Sequence, residues 1–126
     1  MSTWIVDTHV LLWFLTDDSR LSSSARAMIE GPRNVLLVSV ASLWEIAIKR
    51  AKGHLTAPHD LPDILSERGF GLLAIRPEHA WRVADLPLED HRDPFDRMLA
   101  AQALIEGLPV ITTDDAFDAY GVERCW

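Results

Sequence analysis

The chain has 126 residues, of which 48% are hydrophobic and 25% charged, and its formal net charge is -7 at pH 7. This size and composition are typical of one soluble globular domain, so we expect a single domain over residues 1–126. The negative charge excludes a protein that coats nucleic acid by a general positive field. It does not exclude an enzyme that acts on nucleic acid with carboxylates that hold cations.

Cysteine content and the N-terminus bear on the compartment. The single cysteine, Cys125, excludes an internal disulfide and favours the cytoplasm. We expect no targeting segment, because Asp7 interrupts the apolar N-terminus and no basic region or small-residue cleavage site is visible. The longest apolar run, residues 10–15, is too short to span a bilayer, so we expect no membrane association.

A short apolar run at residues 4–6 ends at Asp7. Such a run predicts a buried strand of a parallel sheet, with Asp7 at its carboxyl edge. Ligands bind at this edge in open α/β sheets. Asp7 could instead cap the helix that follows, because Asp is a good N-cap residue. Both interpretations stay open at this point.

The helix predicted over residues 8–16 has almost no polar face, because residues 10–15 are all apolar. A helix that is apolar all round must be covered on more than one side. In so small a domain the sheet covers only one side. We therefore expect another chain to cover the rest, with Trp13 or Phe14 in the interface.

Strands and helices alternate along the rest of the chain, which favours a parallel α/β sheet over a helical bundle. We predict further strands over residues 35–38, 70–75, 110–112 and 122–126. We predict further helices over residues 22–30, 41–52, 63–68, 77–84 and 94–107.

The predicted middle helix carries a polar stripe of Ser42, Glu45, Lys49 and Lys52, at spacings of three and four. Glu45 could form a surface ion pair with Lys49, which would contribute little to stability. Alternatively, Glu45 points into a cleft and Lys49 meets a phosphate there. The residues alone favour the surface pair but leave the cleft open.

Asp93 suits the N-cap of the late helix, Pro94 its first position and Asp96 its third. Asp96 could serve this helix end only, because an acidic side chain there favours the helix dipole. Yet Ala100 and Ala103 share its face, and such small residues let that face approach the sheet. Asp96 would then point toward the strand ends.

Residues 110–112 run into Thr113, Asp114 and Asp115, which repeats the opening pattern of a buried strand that ends in an acid. We take Asp114 as the strand-end acid. We take Asp115 as the cap of the short turn before Phe117.

Four segments together resemble the PIN domain, and in length and order the VapC toxins of bacterial toxin-antitoxin pairs. The resemblance covers nearly the whole chain. Its segments are Asp7-Thr8-His9, Trp44-Glu45-Ile46, Asp93-Pro94-Phe95-Asp96-Arg97 and Thr112-Thr113-Asp114.

The resemblance implies a three-layer α/β/α sandwich with a mainly parallel sheet of four to five strands. It implies that four acids meet at the carboxyl edge and bind Mg²⁺ or Mn²⁺ for RNA hydrolysis. Carried over by position, these acids are Asp7, Glu45, Asp96 and Asp114. We expect Asp7, Asp96 and Asp114 to contact metal directly, and Glu45 to act directly or through water. Such hard oxygen ligands suit both ions.

The resemblance also implies partners. It predicts a homodimer and a small VapB-like antitoxin that blocks activity with an apolar helix and a basic side chain directed toward the acids. Thr113 fits the hydroxyl or amide residue that such proteins often have beside the fourth acid. With Lys49 and Arg97 it is a candidate for contact with the substrate phosphate.

Three other functions can be compared with this one. A phosphoaspartate enzyme would usually carry a second Asp two residues after the first, where this chain has His9. A receiver-type module would need paired acids at the first strand and a Lys after the last. A PIN-like module that binds RNA or a partner without cutting is the remaining alternative.

Overall fold

The computed structural model describes residues 2–87 and 93–126. Within these ranges the chain forms a five-stranded sheet in the order β3-β2-β1-β4-β5, with every neighbouring pair parallel. The strands are β1 Thr3–Val6, β2 Val35–Ser39, β3 Gly71–Leu73, β4 Val110–Ile111 and β5 Arg124–Cys125. Successive strands run outward from β1 on one side and from β4 on the other. The strand order therefore reverses between β1 and β4, where such sheets bind ligands.

Helices connect the strands. The α-helices are α1 Thr8–Leu15, α2 Ser23–Glu30, α3 Val40–Ala51, α4 Leu61–Glu67, α5 Pro77–Arg82 and α6 Pro94–Glu106. Two 3₁₀ helices span Val83–Asp85 and Asp115–Tyr120. Helix α4 begins two residues earlier than predicted, because Pro62 lies in its first turn, where a missing N–H costs nothing. No helix in the described ranges has the length and apolar content needed to cross a bilayer.

The sheet separates two hydrophobic clusters. Consecutive strand residues point to opposite faces, so Val6 packs in one cluster and Ile5 in the other. The first cluster contains core residues of α1, α2 and α4, whereas the second contains those of α6. This confirms the α/β sandwich with a parallel sheet of five strands.

Helix α1 is covered largely by its own chain. Trp13 lies edge-on to Trp126 with ring centroids 5.9 Å apart, and Phe14 contacts Phe70 at 6.0 Å. Among the described residues, none of the exposed large hydrophobic side chains lies on α1, whereas Trp44 of α3 is 59% exposed and Trp81 of α5 is 84% exposed. Distant parts of the chain thus cover α1 in part, and its residues 12–15 stay partly exposed, so cover of the rest by a second chain stays a prediction.

Candidate active site

Asp7 directly follows β1 and is 5% exposed. Its Oδ2 accepts a hydrogen bond from the Thr112 hydroxyl at 2.7 Å, whereas its Oδ1 is buried without a hydrogen-bond partner in the described chain. Asp7 occupies the N-cap position of α1 but makes no side-chain capping hydrogen bond, so the capping interpretation is wrong. Burial raises the pKa of Asp7, and the negative charge of Asp114 raises it further.

Thr112 links the ends of β1 and β4, a role that the sequence did not reveal. It is fully buried, donates its hydroxyl to Asp7 and accepts the backbone N–H of Asp114 at 3.0 Å. The sequence signal for this role is a hydroxyl residue at the end of an apolar strand, two residues before the strand-end acid. Thr113, which we predicted beside the fourth acid as a contact for the substrate phosphate, is exposed.

Asp114 follows β4 and is partly buried. Its Oδ1 accepts the backbone N–H of Ala116 at 2.9 Å, so Asp114 is the N-cap of the 3₁₀ helix Asp115–Tyr120. The prediction that Asp115 is the cap is wrong, because the extended backbone that a cap requires occurs at Asp114.

Glu45 reaches the same region from α3 and is 3% exposed. Its Oε2 lies 2.8 Å from Lys49 Nζ, and its Oε1 is buried without a hydrogen-bond partner among the described residues. Ser42, on the same stripe, is also buried and accepts the Thr8 hydroxyl at 2.8 Å. The ion pair therefore forms, but this part of the stripe faces the interior. The surface-pair interpretation is wrong in that respect.

Lys49 connects Glu45 to the start of α6. The pKa of Lys49 is raised, mainly by its hydrogen bond to Glu45 and in addition by the charges of Asp93 and Asp96. The ring centroids of Trp44 and Phe95 are 5.1 Å apart, which packs this end of α6 against α3. Glu45 and Asp96 thus share one electrostatic environment.

Asp93 is the N-cap of α6, as predicted. Its Oδ1 accepts the backbone N–H groups of Phe95 at 2.8 Å and Asp96 at 3.1 Å. Asp96 is partly buried in the first turn of this helix. The Asp93 carboxylate is therefore engaged by the end of α6.

Arg97 is 5% exposed, and its guanidinium donates to the carbonyl groups of Val83, Leu86 and Pro87. The guanidinium also lies 5.8 Å from the ring centroid of Tyr120. These contacts hold the segment before residue 88 against α6. Because its donors are committed inside the protein, we do not retain Arg97 as a phosphate contact.

The four predicted acids form two neighbouring groups. Asp7 and Asp114 are linked through Thr112, and Glu45 and Asp96 both interact with Lys49. Within residues 2–87 and 93–126, no three acid, histidine or cysteine side chains are arranged so that together they could hold a metal ion. The two pairs of acids therefore do not form a closed ligand cage in this structure.

The donor chemistry nonetheless fits a divalent cation. Asp7 Oδ1 and Glu45 Oε1 are buried carboxylate oxygens without a hydrogen bond in the described chain. An unsatisfied buried polar group costs about 1–3 kcal/mol, and more if it is charged. A hard cation is the ligand that would satisfy such oxygens, and Mg²⁺ and Mn²⁺ prefer an all-oxygen set.

Comparison with known proteins identifies the family. The PIN domain profile matches residues 4–123. The chain belongs to the PIN domain family. This confirms the resemblance drawn from the four segments.

Individual relatives of this PIN domain agree with that assignment. Ribonuclease VapC22 of Mycobacterium tuberculosis is 28% identical over 116 residues, covering 90% of this chain and 88% of the relative. VapBC2 of Rickettsia felis, solved with a DNA fragment from its promoter, superimposes with a TM-score of 0.70 at 13% identity over 99% of this chain and 98% of that one. A toxin-antitoxin complex of Klebsiella pneumoniae superimposes with a TM-score of 0.66 at 21% identity, over 98% and 96% of the two chains. At these identities the two structures show the shared fold.

Proposed function

We propose that this PIN domain is a metal-dependent endoribonuclease and the toxin of a toxin-antitoxin pair. Asp7, Glu45, Asp96 and Asp114 would form the acidic centre that hydrolyses RNA phosphodiester bonds. The observation that carries the proposal is the pair of buried carboxylate oxygens, on Asp7 and Glu45, that have no hydrogen bond in the described chain. Buried polar groups are nearly always hydrogen-bonded in folded proteins, and a bound ion or a catalytic role explains such an exception.

Each residue has a distinct part in the proposed chemistry. Asp7, Asp96 and Asp114 would hold Mg²⁺ or Mn²⁺, and Glu45 would act directly or through water. When bound, the ion supplies a water of lowered pKa as nucleophile and offsets the charge of the phosphate. Thr112 fixes the orientation of Asp7 by hydrogen bonding.

Lys49 has two parts in this proposal. Without substrate it offsets the charge of Glu45 through their contact at 2.8 Å. With substrate present, its partly exposed ammonium group contacts a phosphate oxygen at the same edge.

The toxin assignment rests on the relatives. The M. tuberculosis relative is named a ribonuclease, and the Klebsiella structure is a toxin-antitoxin complex. We propose that this chain likewise acts in the cytoplasm, as a homodimer, and binds a small VapB-like antitoxin.

The antitoxin is placed differently from the sequence-based expectation, because Trp13 and Phe14 are largely covered. An apolar groove of about 380 Å³ lies between α3 and α4, lined by Leu43, Trp44 and Leu61 among others. Trp44 also contacts Phe95, the residue before Asp96, with ring centroids 5.1 Å apart, so a helix seated on Trp44 could direct a basic side chain toward the acids. Trp44→Ala should weaken the complex by ~2 kcal/mol or more if this aromatic is a hot spot.

The direct test is RNA cleavage by the purified chain with and without chelation. We expect cleavage of a labelled RNA with Mg²⁺ or Mn²⁺ and none in EDTA. Asp114→Asn should lower the rate by at least ~10²-fold, by analogy with removal of one preorganised electrostatic group. Asp115→Asn is the matched control and should cleave normally. Cleavage in EDTA would refute the metal dependence, and RNA binding without cleavage would favour the alternative of a non-catalytic module.

A further inference from the structure

Gln102 is a polar residue at a fully buried position of α6. The residues beside it on this helix, Ala101 and Ala103, belong to the apolar core. Burial of a side-chain amide is unfavourable unless both its oxygen and its nitrogen are hydrogen-bonded. The partners of the Gln102 amide therefore show what this residue does for the fold.

The amide joins α6 to the carboxyl ends of two strands. Its Oε1 accepts the Ser39 hydroxyl at 2.5 Å, and its Nε2 donates to the backbone carbonyl of Ala74 at 3.2 Å. Ser39 is the last residue of β2 and the N-cap of α3, where its Oγ accepts the backbone N–H of Ala41 at 3.0 Å. Ala74 directly follows β3. Gln102 is thus hydrogen-bonded to the residue at which α3 begins.

A second contact joins the same two helices. Phe95 precedes Gln102 by seven residues, which is about two helical turns, so both side chains lie on one face of α6 roughly 10 Å apart. Phe95 contacts Trp44 of α3, with ring centroids 5.1 Å apart. Since Ser39 lies opposite Gln102 and Trp44 lies opposite Phe95, α3 and α6 run antiparallel along this face.

Two of the candidate acids lie next to the ring contact. Glu45 follows Trp44 in α3, and Asp96 follows Phe95 in α6, so the two acids lie at about the same level along the helix pair. Both acids interact with Lys49. A displacement of α6 along its axis by the rise of one residue would move Asp96 by about 1.5 Å relative to Glu45. The register of α6 against α3 therefore determines where Asp96 lies relative to Glu45.

The hydrogen bond between Ser39 and Gln102 is suited to fix this register. Apolar contacts are non-directional, so the rings and the alanines of α6 hold the helix in place without specifying its position along the axis. A hydrogen bond requires a narrow range of distances and angles, and its loss leaves buried polar groups unpaired. The bond from Ser39 to Gln102 therefore disfavours any displacement of α6 along α3.

We propose that Gln102 is a positioning residue that, through Ser39, holds Asp96 in register with Glu45. The inference rests on the proposed function in one respect, namely that these two acids serve one divalent cation. Gln102 is about 9 Å from Asp96 along α6, so it acts on the acid through the helix and not by contact. The alternative is that the amide only satisfies buried polar groups.

Metal binding tests the position of the acids. Mn²⁺ would be titrated into the metal-free protein, and the free ion would be measured by its electron paramagnetic resonance signal. Gln102→Met keeps an unbranched side chain of similar length but removes both hydrogen bonds of the amide. The Kd for Mn²⁺ should rise about tenfold, which is the lower end of the range typical of losing a hydrogen bond that orients metal ligands.

The register itself can be measured without metal. Nuclear Overhauser effects between the rings of Trp44 and Phe95 report their contact at 5.1 Å. These effects should weaken in Gln102→Met, whereas an amide that only satisfies buried groups would leave them unchanged. Ser39→Gly is the second variant and decides the question if Gln102→Met does not fold. It removes the hydroxyl that is bonded to Gln102, while glycine caps a helix almost as well as serine.

Asn34 provides a matched control. Its Nδ2 donates to the backbone carbonyl of Met28 at 3.0 Å, so it is also a side-chain amide bonded to a carbonyl group. It directly precedes β2 and thus lies at the opposite edge of the sheet. Asn34→Leu should lower the Tm, as Gln102→Met does, but leave the Kd for Mn²⁺ unchanged. Thermal unfolding gives the Tm of each variant and shows that it folds.

The possible failures are distinguishable. Where wild type binds Mn²⁺, the inference is overturned if Gln102→Met retains either the Mn²⁺ affinity or the ring contact of wild type, or if Asn34→Leu loses as much affinity. If wild type cleaves RNA with Mn²⁺ and Gln102→Met cleaves equally well, this inference alone fails. If wild type neither binds Mn²⁺ nor cleaves RNA, but the ring contact weakens in Gln102→Met, only the proposed function is refuted and the register role of Gln102 stands.

Discussion

Replacement of Asp7 by Asn should stabilise the metal-free protein and abolish its stabilisation by metal. The carboxylate is 5% exposed, and only one of its oxygens has a hydrogen-bond partner in the described chain. Asn retains an oxygen that can accept the Thr112 hydroxyl, and it removes the buried charge. The change is therefore nearly isosteric and alters mainly the electrostatics.

The magnitude follows from the unsatisfied oxygen. An unpaired buried polar group lowers the free energy of unfolding by about 1–3 kcal/mol. The variant avoids only part of this loss, because the Asn amide is also a buried polar group. We expect a gain of about 1–2 kcal/mol without metal, which is a rise in Tm of roughly 3–10 °C for a domain of this size. With metal at a hundredfold excess over Kd, wild type should gain about 2.7 kcal/mol that the variant lacks.

The pH dependence has a defined sign. Burial raises the pKa of Asp7 above its ordinary 3.8, so the folded state binds this proton more tightly than the unfolded state does. Wild type should therefore lose stability relative to Asp7→Asn as the pH rises from 3.8 through the raised pKa. Above that range the difference should be complete.

Thermal unfolding in EDTA and in excess Mg²⁺ measures both effects. The order of the Tm values should reverse, with the variant more stable in EDTA and wild type more stable in Mg²⁺. Asp115→Asn, an exposed acid at the same edge, should change neither value. A variant that is less stable than wild type in EDTA would refute the cost assigned to the buried carboxylate. Equal stabilisation of both proteins by Mg²⁺ would show that Asp7 is not a ligand.

Three further predictions concern other polar groups of the chain. Asp96→Asn should lower the rate of RNA cleavage by at least ~10²-fold and leave the fold intact. Asp93→Asn should keep most of the activity, because Asn caps a helix about as well as Asp. Equal losses in the two variants would contradict the assignment of Asp96 as the metal ligand and Asp93 as the cap. Thr112→Val should lower the free energy of unfolding by about 2 kcal/mol, because two buried hydrogen bonds lose a partner. Denaturant titration measures this loss. Thr112→Ser should restore most of the lost free energy, because serine keeps the hydroxyl. The pKa of Glu106 is lowered, mainly by its hydrogen bond with His79, so its stabilising contribution should be full above pH 4.5 and vanish as the pH falls through the lowered value. Glu106→Gln should therefore be less stable than wild type at neutral pH but not in acid, and a pH-independent difference in Tm would contradict this.

The sequence predicted the features that depend on neighbouring residues. The cap of α6 at Asp93 follows from local spacing, and so does the alternation of strands and helices. The role of Thr112 does not, because it depends on the pairing of Val6 with Ile111, which brings Asp7 beside a residue 105 positions away. No periodicity within either strand specifies that register.

Coverage of α1 illustrates the same limit. Hydrophobic periodicity shows how much apolar surface a helix has, but not which segment will cover it. Trp126 and Phe70 approach α1 from distant parts of the chain. Arg97 is a similar case, because its burial depends on the carbonyl groups of residues 83–87, which curve around the start of α6.

The way in which the fold tolerates four neighbouring acids follows from their positions on the helices. Asp7 and Asp114 occupy N-cap positions and Asp96 the first turn of α6, where N–H groups and the helix dipole favour negative charge. Glu45 lies in the middle of α3, where no such compensation exists, and it is the acid that pairs with Lys49. Each carboxylate thus has a local source of positive potential, although Asp7 and Glu45 each keep one buried oxygen without a hydrogen bond in the described chain. Removal of Lys49 should therefore destabilise the metal-free protein more than removal of any one acid, because it alone leaves a buried charge without compensation.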